Sequence, residues 1–219
     1  MRVLIACEYS GATKDAFRER GHDAWSCDLD QEPEGRWSEF HLRGDVRQFL
    51  ADGWDLMIAH PPCTYLASSG LHWNHRTPGR AEKTEDGLAL VRDLMAAPIE
   101  RIAIENPVGC IGTRIRKADQ MIQPYEFGDD ASKATCLWLK GLSPLRPTRR
   151  LAGRMVTDPR NGKQVERWAN QTDGGQNRLA PSADRWKLRS TTYPGFAAAM
   201  AEQWGEPDAA LPLLQRMTA

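Results

Sequence analysis

The sequence lacks any run of about 18 apolar residues, the length that a membrane-spanning helix needs. Its amino terminus, Met1 and Arg2, leads directly into a strand-like run and carries no signal-peptide pattern. We therefore expect a cytoplasmic protein with no membrane partner. At 219 residues the chain is long enough for one domain with a hydrophobic core, with room for a modest extension.

The chain has few cysteines and none in CxxC spacing, which argues against a disulfide framework and against a cysteine zinc site. His60, Cys63, His72 and His75 could be read together as metal ligands, but their spacing matches no common zinc pattern. We expect no metal. The five cysteines are Cys7, Cys27, Cys63, Cys110 and Cys136.

The chain has no net charge, yet its charges are unevenly distributed. Residues 140–190 hold 12 Lys and Arg against 4 Asp and Glu, whereas residues 1–139 hold 16 against 22. A basic segment on an otherwise acidic protein favours a polyanionic partner. A solvated loop region is the other interpretation that charge alone allows.

Apolar runs of strand length alternate with helical patterns, which predicts an α/β fold with a mostly parallel sheet. The first unit is a strand over residues 2–6, a helix over 12–20 and a second strand over 22–27 that ends at Asp28. This is the first half of a Rossmann-like unit, in which such an acid binds ribose hydroxyls. Further on, the pattern predicts a crossover helix over 81–95 and a helix over 113–122 that ends at Pro124.

The stretch from Asp55 to Gly70 contains the strongest functional signal in the sequence. The apolar run over residues 56–59 is typical of a buried strand, and His60, Pro61, Pro62 and Cys63 follow it. Prolines cannot continue a sheet ladder, so Cys63 is predicted on the loop past the carboxyl end of this strand, where α/β proteins place their chemistry. A thiol there, beside an imidazole, fits a nucleophile, and a packed, inert thiol is the alternative. The polar loop over residues 68–79 is predicted to act as a mobile lid.

A strand that ends in Pro-Cys resembles the catalytic motif of the DNA cytosine-5 methyltransferases. A second strand, RIAIENPVG from Arg101 to Gly109, is similar to that family's Glu-Asn motif and follows in the right order. The chain resembles a small, phage-type member with a reduced target-recognition region. The resemblance implies a Rossmann-like class I methyltransferase fold, S-adenosylmethionine as cofactor and catalytic roles for Cys63 and Glu105.

In this family the cysteine adds to C6 of cytosine, and the methyl group is transferred to C5. The resemblance further implies that Glu105, held in its acid form by burial, binds the N3 and amino edge of the base. It also implies two groups of binding residues. The cofactor group is Glu8, Tyr9, Ser10, Gly11, Asp28, Asp45, Pro61, Ser190 and Thr191, and the substrate group is Pro62, Asn106, Lys133, Thr135, Arg149 and Arg150.

The chain departs from the family pattern at several positions. Glu8 and Ser10 stand where two glycines of the cofactor turn are usual, and Lys133 and Thr135 occupy the positions of an Arg pair. Asp28 could also be a solvated strand-end acid, and Asp45 could be a helix N-cap as well as an adenine ligand. Trp168 is predicted to stack on a base beside phosphate-binding arginines.

The predicted organisation is a catalytic and cofactor-binding core over 1–140, a reduced basic recognition segment over 141–184, and a return helix with tail over 185–219. The expected partner is DNA or a free cytosine nucleotide. Two rival functions remain open at this point. One is C5 modification of a dCMP-type nucleotide, and the other is a non-catalytic nucleic-acid-binding relative.

Overall fold

The computed structural model describes residues 1–180, 182 and 185–206. Residues 207–219, the tail of the predicted 185–219 segment, lie outside these ranges. The strands are β1 (Arg2–Ala6), β2 (Asp23–Asp28), β3 (His41–Arg43), β4 (Leu56–Ala59), β5 (Arg101–Pro107), β6 (Gln120–Ile122), β7 (Thr135–Lys140), β8 (Arg154–Thr157) and β9 (Gln164–Arg167). The α-helices are α1 (Ala12–Glu19), α2 (Ser68–Leu71), α3 (Arg80–Ala96), α4 (Ile111–Arg114), α5 (Arg185–Ser190) and α6 (Pro194–Gly205).

Seven strands form one sheet in the order β3-β2-β1-β4-β5-β7-β6. The strands β3, β2, β1, β4 and β5 run parallel to one another, whereas β7 runs antiparallel to both β5 and β6. The predicted α/β class with a mostly parallel sheet is confirmed, and the order β3-β2-β1-β4-β5 is that of a Rossmann-like sheet. No helix among the described residues is both long and apolar enough to cross a membrane.

The alternation of side chains along the central strands builds a core on each face of the sheet. In β1, Val3 and Ile5 point to the face covered by α1 and α6, where Phe17 and Trp204 pack. The next residue along, Leu4, joins the opposite core, together with Leu88, Val91 and Leu94 of α3. Because both faces are covered, the strands are apolar throughout, which made them recognisable in the sequence.

The predicted helix over residues 113–122 is wrong. The helix α4 is a single turn that ends at Arg114, and the chain then forms the edge strand β6. Ile122 is buried at the end of this strand, and the Gln120 side chain exchanges two hydrogen bonds with the backbone of Leu145. Pairing with β7 satisfies the backbone of this segment, so tertiary contacts override its local helical pattern. The strand β3 and the β8–β9 hairpin also had no counterpart in the prediction.

The start of the loop that follows β4 is anchored to neighbouring segments. Leu66 is fully buried, and its carbonyl accepts a hydrogen bond from the backbone N–H of Cys110. The Arg80 guanidinium donates to the carbonyl oxygens of Thr64 and Gly70, which ties the loop to the first turn of α3. The lid predicted over residues 68–79 begins directly after this anchored part and stays a prediction.

A close backbone approach at Gly109 completes this anchor. A Cβ added to Gly109 would lie 2.0 Å from the Leu66 carbonyl oxygen, far inside van der Waals contact. We expect Gly109→Ala to lower the free energy of unfolding by about 1–3 kcal/mol, because the Cys63 loop must move to make room. Denaturant unfolding measures the change. The matched control is Gly112→Ala, where a Cβ meets nothing within 4 Å, and equal stability of the two variants would contradict the anchor.

Candidate active site

The candidate site lies at the carboxyl ends of β1, β4 and β5. The direction in which successive strands are added reverses between β1 and β4, and such a switch point is where open α/β sheets bind ligands. The turn after β1 contains Glu8, the loop after β4 contains Cys63, and Glu105 lies near the end of β5. Strand pairing therefore brings together three segments that are far apart in the sequence.

Cys63 opens a short 3-10 turn, Cys63–Tyr65, directly after the two prolines. Its carbonyl accepts hydrogen bonds from the backbone N–H groups of Leu66 and Ala67, and the residue is half-buried. Burial raises the pKa of Cys27 to about 12 and also raises the pKa values of Cys110 and Cys136.

Asn106, predicted to bind substrate, holds the Cys63 loop in place. Its side-chain amide donates a 2.7 Å hydrogen bond to the carbonyl of Pro61, and the residue is only 1% exposed. Its Oδ1 is buried and has no hydrogen-bond partner among the described residues. Pro61, predicted to contact the cofactor, is likewise buried, whereas Pro62 is exposed beside Cys63. The amide of Asn106 therefore joins the end of β5 to the end of β4.

The surroundings of Glu105 favour its carboxylate form, against the expectation that burial keeps it in its acid form. Burial does favour the acid form, but the Lys133 ammonium, 3.9 Å from Oε1, and the His60 ring together outweigh it. The Nδ1 of His60 lies 3.1 Å from Oε2 of Glu105. These partners lower the pKa of Glu105 to about 2, and the Thr135 hydroxyl adds a smaller contribution. The predicted substrate residues Lys133 and Thr135 thus lie beside Glu105.

His60 and Glu8 form a second link, between the ends of β4 and β1, which the sequence did not predict. The Nε2 of His60 lies 3.4 Å from the Thr13 hydroxyl, and the Glu8 carboxylate accepts the backbone N–H groups of Thr13 and Lys14. Glu8 therefore caps the amino terminus of α1 from within the preceding turn. Burial raises the pKa of Glu8, although His60 and these hydrogen bonds oppose the shift.

The remaining residues of the predicted cofactor turn shape the start of α1. Gly11 has a φ of 70°, and a Cβ there would meet the Glu32 carboxylate at 2.3 Å, so only glycine fits. The Ser10 hydroxyl accepts the N–H of Ala12, and the Lys187 ammonium lies 5.6 Å from the Tyr9 ring. The contact with Lys187 brings α5 against this turn.

Asp28 and Asp45 lie at the ends of β2 and β3. The Asp28 carboxylate accepts hydrogen bonds from the backbone N–H groups of Asp30 and Leu29. Burial raises the pKa of Asp28. Asp45 caps the 3-10 turn Val46–Gln48 through the N–H of Arg47 and also pairs with the Arg47 guanidinium. The acceptor set fits the ribose and adenine end of S-adenosylmethionine, whereas Glu8 fills the helix terminus that would otherwise attract a carboxylate.

Ser190 and Thr191, predicted to contact the cofactor, lie at the end of α5 and directly after it. Both residues are exposed, and both hydroxyls donate to the carbonyl of Lys187 in α5. The following residue, Thr192, is buried and lines a small pocket beside Glu105. The other residues that line this pocket are Ile122, Pro124, Lys133, Thr135, Tyr193 and Phe196.

Four arginines of the basic segment are paired with its own acids, and two of the predicted contacts are affected. Arg150 forms an ion pair with Glu166, so its guanidinium is not available to a phosphate without breaking that pair. Trp168 is 7% exposed and stacks on Tyr125 with ring centroids 3.9 Å apart, so it does not offer a face to a base. Arg149 differs, because it is exposed and no carboxylate of the described residues pairs with it.

Within the described ranges, no group of three or more His, Cys, Asp and Glu side chains is placed to hold a metal ion. The ring of His60 instead lies between Glu105 and Thr13. The imidazole beside Cys63 in the sequence is thus committed to hydrogen bonds with its neighbours. The site contains a half-buried thiol, a carboxylate and an ammonium group at the end of the sheet where β4 and β5 terminate.

The low pKa of Glu105 depends on Lys133 and gives a direct test of this geometry. We expect Lys133→Gln to raise the pKa of Glu105, because the cation that favours the carboxylate is removed while burial remains. Carbon-13 NMR of labelled glutamate carboxyls follows the titration. Lys117→Gln, an exposed lysine that does not act on Glu105, is the control, and an unchanged Glu105 titration in Lys133→Gln would contradict the assignment.

No protein-family model and no curated protein matches this sequence. Among solved structures the chain is similar to a candidate DNA modification methyltransferase encoded within a prophage of E. coli, with 15% identity and a TM-score of 0.44 over 69% of this chain. It is also similar to an rRNA methylase from Escherichia coli (17%, 0.38, 64% of this chain) and to the 16S rRNA methylase RmtB (18%, 0.32, 64% of this chain). The chain spans about half of each: 52%, 56% and 55% of their lengths.

Proposed function

We propose that this protein transfers a methyl group from S-adenosylmethionine to C5 of cytosine, through a covalent bond between Cys63 and C6 of the base. The observation that carries the proposal is the link between the Cys63 loop and β5. The Asn106 amide, bonded to the Pro61 carbonyl, ties the loop that contains Cys63 to β5, the strand that contains Glu105. A nucleophile and a base-binding acid at adjacent strand ends are the two parts that this chemistry requires.

Asp28 and Asp45 would hold the ribose and the adenine of S-adenosylmethionine at the carboxyl ends of β2 and β3. The carboxylate of Asp28 can accept hydrogen bonds from ribose hydroxyls, which are donors, and such an acid at the end of the second strand is the usual ribose ligand in Rossmann-like folds. When bound, the cofactor supplies an electrophilic methyl group. The turn from Glu8 to Gly11 would line the same pocket.

Cytosine C5 is a poor nucleophile, and Cys63 changes this. Its thiolate forms a bond to C6, and the displaced π electrons make C5 nucleophilic while negative charge develops toward N3. Glu105 and Lys133 face this charge from the end of β5 and the start of β7. After methyl transfer, loss of the C5 proton to a base or water re-forms the double bond and expels Cys63.

The substrate that we propose is cytosine within DNA, with Arg149 as a phosphate contact. A free cytosine nucleotide is the second candidate, and a specific observation favours it. Three acids of the basic segment, Asp158, Glu166 and Asp173, are paired with its arginines, which reduces the charge available to a polyanion. A mononucleotide needs fewer such contacts.

Replacement of the nucleophile tests the proposal most directly. Cys63→Ser should abolish methyl transfer while leaving the free energy of unfolding nearly unchanged, because the residue lies on a loop and a hydroxyl replaces the thiol. Incubation with labelled S-adenosylmethionine and, separately, DNA, RNA and dCMP measures the transfer. The control is Cys136→Ser, a thiol on β7 that the mechanism does not use.

A 5-fluorocytosine substrate gives a second readout of the same residue. Fluorine at C5 does not leave as a proton does, so the adduct between Cys63 and the base should accumulate and be visible by mass spectrometry. If wild-type protein transfers methyl groups to cytosine but forms no adduct at Cys63 with the 5-fluorocytosine substrate, the covalent mechanism is wrong.

The salt dependence of binding separates DNA from a free nucleotide. Each phosphate contact that is lost should reduce the slope of log K against log salt by about one unit. We expect Arg149→Gln to flatten this slope for DNA, whereas Arg150→Gln should change it little because that guanidinium is already paired with Glu166. Efficient methylation of dCMP together with no DNA binding at low salt would favour the nucleotide.

A further inference from the structure

A buried polar cluster adjoins the turn that contains Asp28, the proposed ribose ligand. Its members are Lys14 of α1, Ser26 of β2, Glu32 in the loop after β2 and His41 of β3. The side chains of Lys14 and His41 have no exposed surface, Ser26 is fully buried, and Glu32 is 6% exposed. Burying charged groups is costly unless they are paired, so the members of this cluster need partners inside the protein.

The partners lie within the cluster itself. The Lys14 ammonium donates to Oε1 of Glu32 at 2.6 Å, and the Ser26 hydroxyl donates to Oε2 of the same carboxylate at 2.7 Å. The Nδ1 of His41 lies 2.9 Å from the Ser26 hydroxyl and 3.4 Å from Oε2 of Glu32. One buried carboxylate thereby joins a helix, two strands and a loop.

The Glu32 carboxylate also touches the proposed cofactor turn. Its Oε1 fills the space beside Gly11, where an added Cβ would lie only 2.3 Å away. Lys14, which binds the same oxygen, lies in the first turn of α1, directly after the cofactor turn. The loop after β2 is thus packed against the turn after β1. The two segments that we propose to line the cofactor pocket therefore share one buried anchor.

His41 extends the cluster to the turn that contains Asp28. The Nε2 of His41 lies 3.0 Å from the carbonyl oxygen of Asp30, and because a carbonyl oxygen only accepts, Nε2 carries the proton. The backbone N–H of Asp30 in turn donates to Oδ1 of Asp28 at 3.0 Å. The pairing of β2 with β3 places His41 opposite Ser26, two residues before Asp28. One buried imidazole thus holds Asp30, whose N–H orients the Asp28 carboxylate.

We propose that His41 is a positioning residue for the cofactor, because it holds Asp30 so that the Asp28 carboxylate faces the ribose hydroxyls. Ser26 and Glu32 hold the other ring nitrogen of His41. The inference rests on the proposed function, since it takes S-adenosylmethionine as the ligand of Asp28. A carboxylate that is held before binding loses less conformational entropy when the ligand arrives. The buried cluster therefore preorganises the ribose end of the pocket.

Two substitutions at His41 separate positioning from packing. In His41→Gln the amide nitrogen can take the place of Nε2 and still donate to Asp30, whereas the shorter side chain of His41→Asn reaches only the place of Nδ1. We expect His41→Asn to weaken the binding of S-adenosylhomocysteine about tenfold, the size expected for loss of a hydrogen bond to a charged group. His41→Gln should retain most of the affinity in the same calorimetric titration. The control is His22→Asn, directly before β2 at the opposite end of the strand, which should bind as the wild type does.

The ribose hydroxyls identify the contact that is lost. A 2′,3′-dideoxy analogue of S-adenosylhomocysteine lacks the donors that Asp28 would accept, so the wild-type protein should bind it more weakly than the parent compound. This preference should shrink in His41→Asn and vanish in Asp28→Ala, and the double variant should match Asp28→Ala because both changes remove the same interaction. A packing defect would weaken both ligands equally. An unchanged preference in His41→Asn, or equal losses of affinity in His41→Asn and His41→Gln, would overturn the inference.

A measurement without ligand keeps this inference separate from the proposed function. Nitrogen-15 NMR of the substrate-free protein should show the His41 proton on Nε2 and slow to exchange with solvent, because the side chain is fully buried. An Nε2 without a proton would overturn the inference whatever the activity. If the wild-type protein binds S-adenosylhomocysteine with the ribose preference but methylates no cytosine substrate, the proposed function fails and the positioning role stands. If it does not bind S-adenosylhomocysteine, both are wrong.

Discussion

The hydrogen bond from the Asn106 amide to the Pro61 carbonyl is the contact on which the candidate site depends. Two successive prolines end the hydrogen-bond ladder of β4, so this strand alone does not fix the turn that contains Cys63. The buried amide supplies the missing constraint from β5. The close approach of Gly109 to the Leu66 carbonyl is a second contact between the Cys63 loop and the segment that follows β5. As a result the Cys63 loop and the end of β5 are held together, although more than 40 residues separate Cys63 from Glu105 in the sequence.

Buried acids in this protein illustrate how partners decide the charge state. Desolvation favours the neutral form of each. The Lys133 ammonium and the His60 ring lower the pKa of Glu105, and hydrogen bonds with His41, Lys14 and Ser26 lower the pKa of Glu32. At Glu8 burial outweighs the His60 ring and the backbone hydrogen bonds, so its pKa is raised. The site therefore contains one acid whose pKa is raised and one whose pKa is lowered.

Ion pairs within the basic segment neutralise part of its positive charge. Its excess of positive residues is visible in the sequence, but the β8–β9 hairpin folds several arginines onto the segment's own acids, as in the pairs Arg150–Glu166 and Arg154–Asp173. The stack of Trp168 on Tyr125 then packs the hairpin against the core. A count of charges therefore overstates the surface that remains for a polyanion.

The sequence by itself determined the α/β class, the strands around Cys63 and Glu105, and the long helix α3, because these depend on local apolar patterns that both buried sheet faces impose. It did not determine the edge strand β6, whose backbone is satisfied only by pairing with β7. Nor could it assign the ionised state of Glu105, the anchoring role of Asn106 or the link from His60 to Glu8. Those depend on distances between residues remote in the chain, and such distances exist only once the strands have paired.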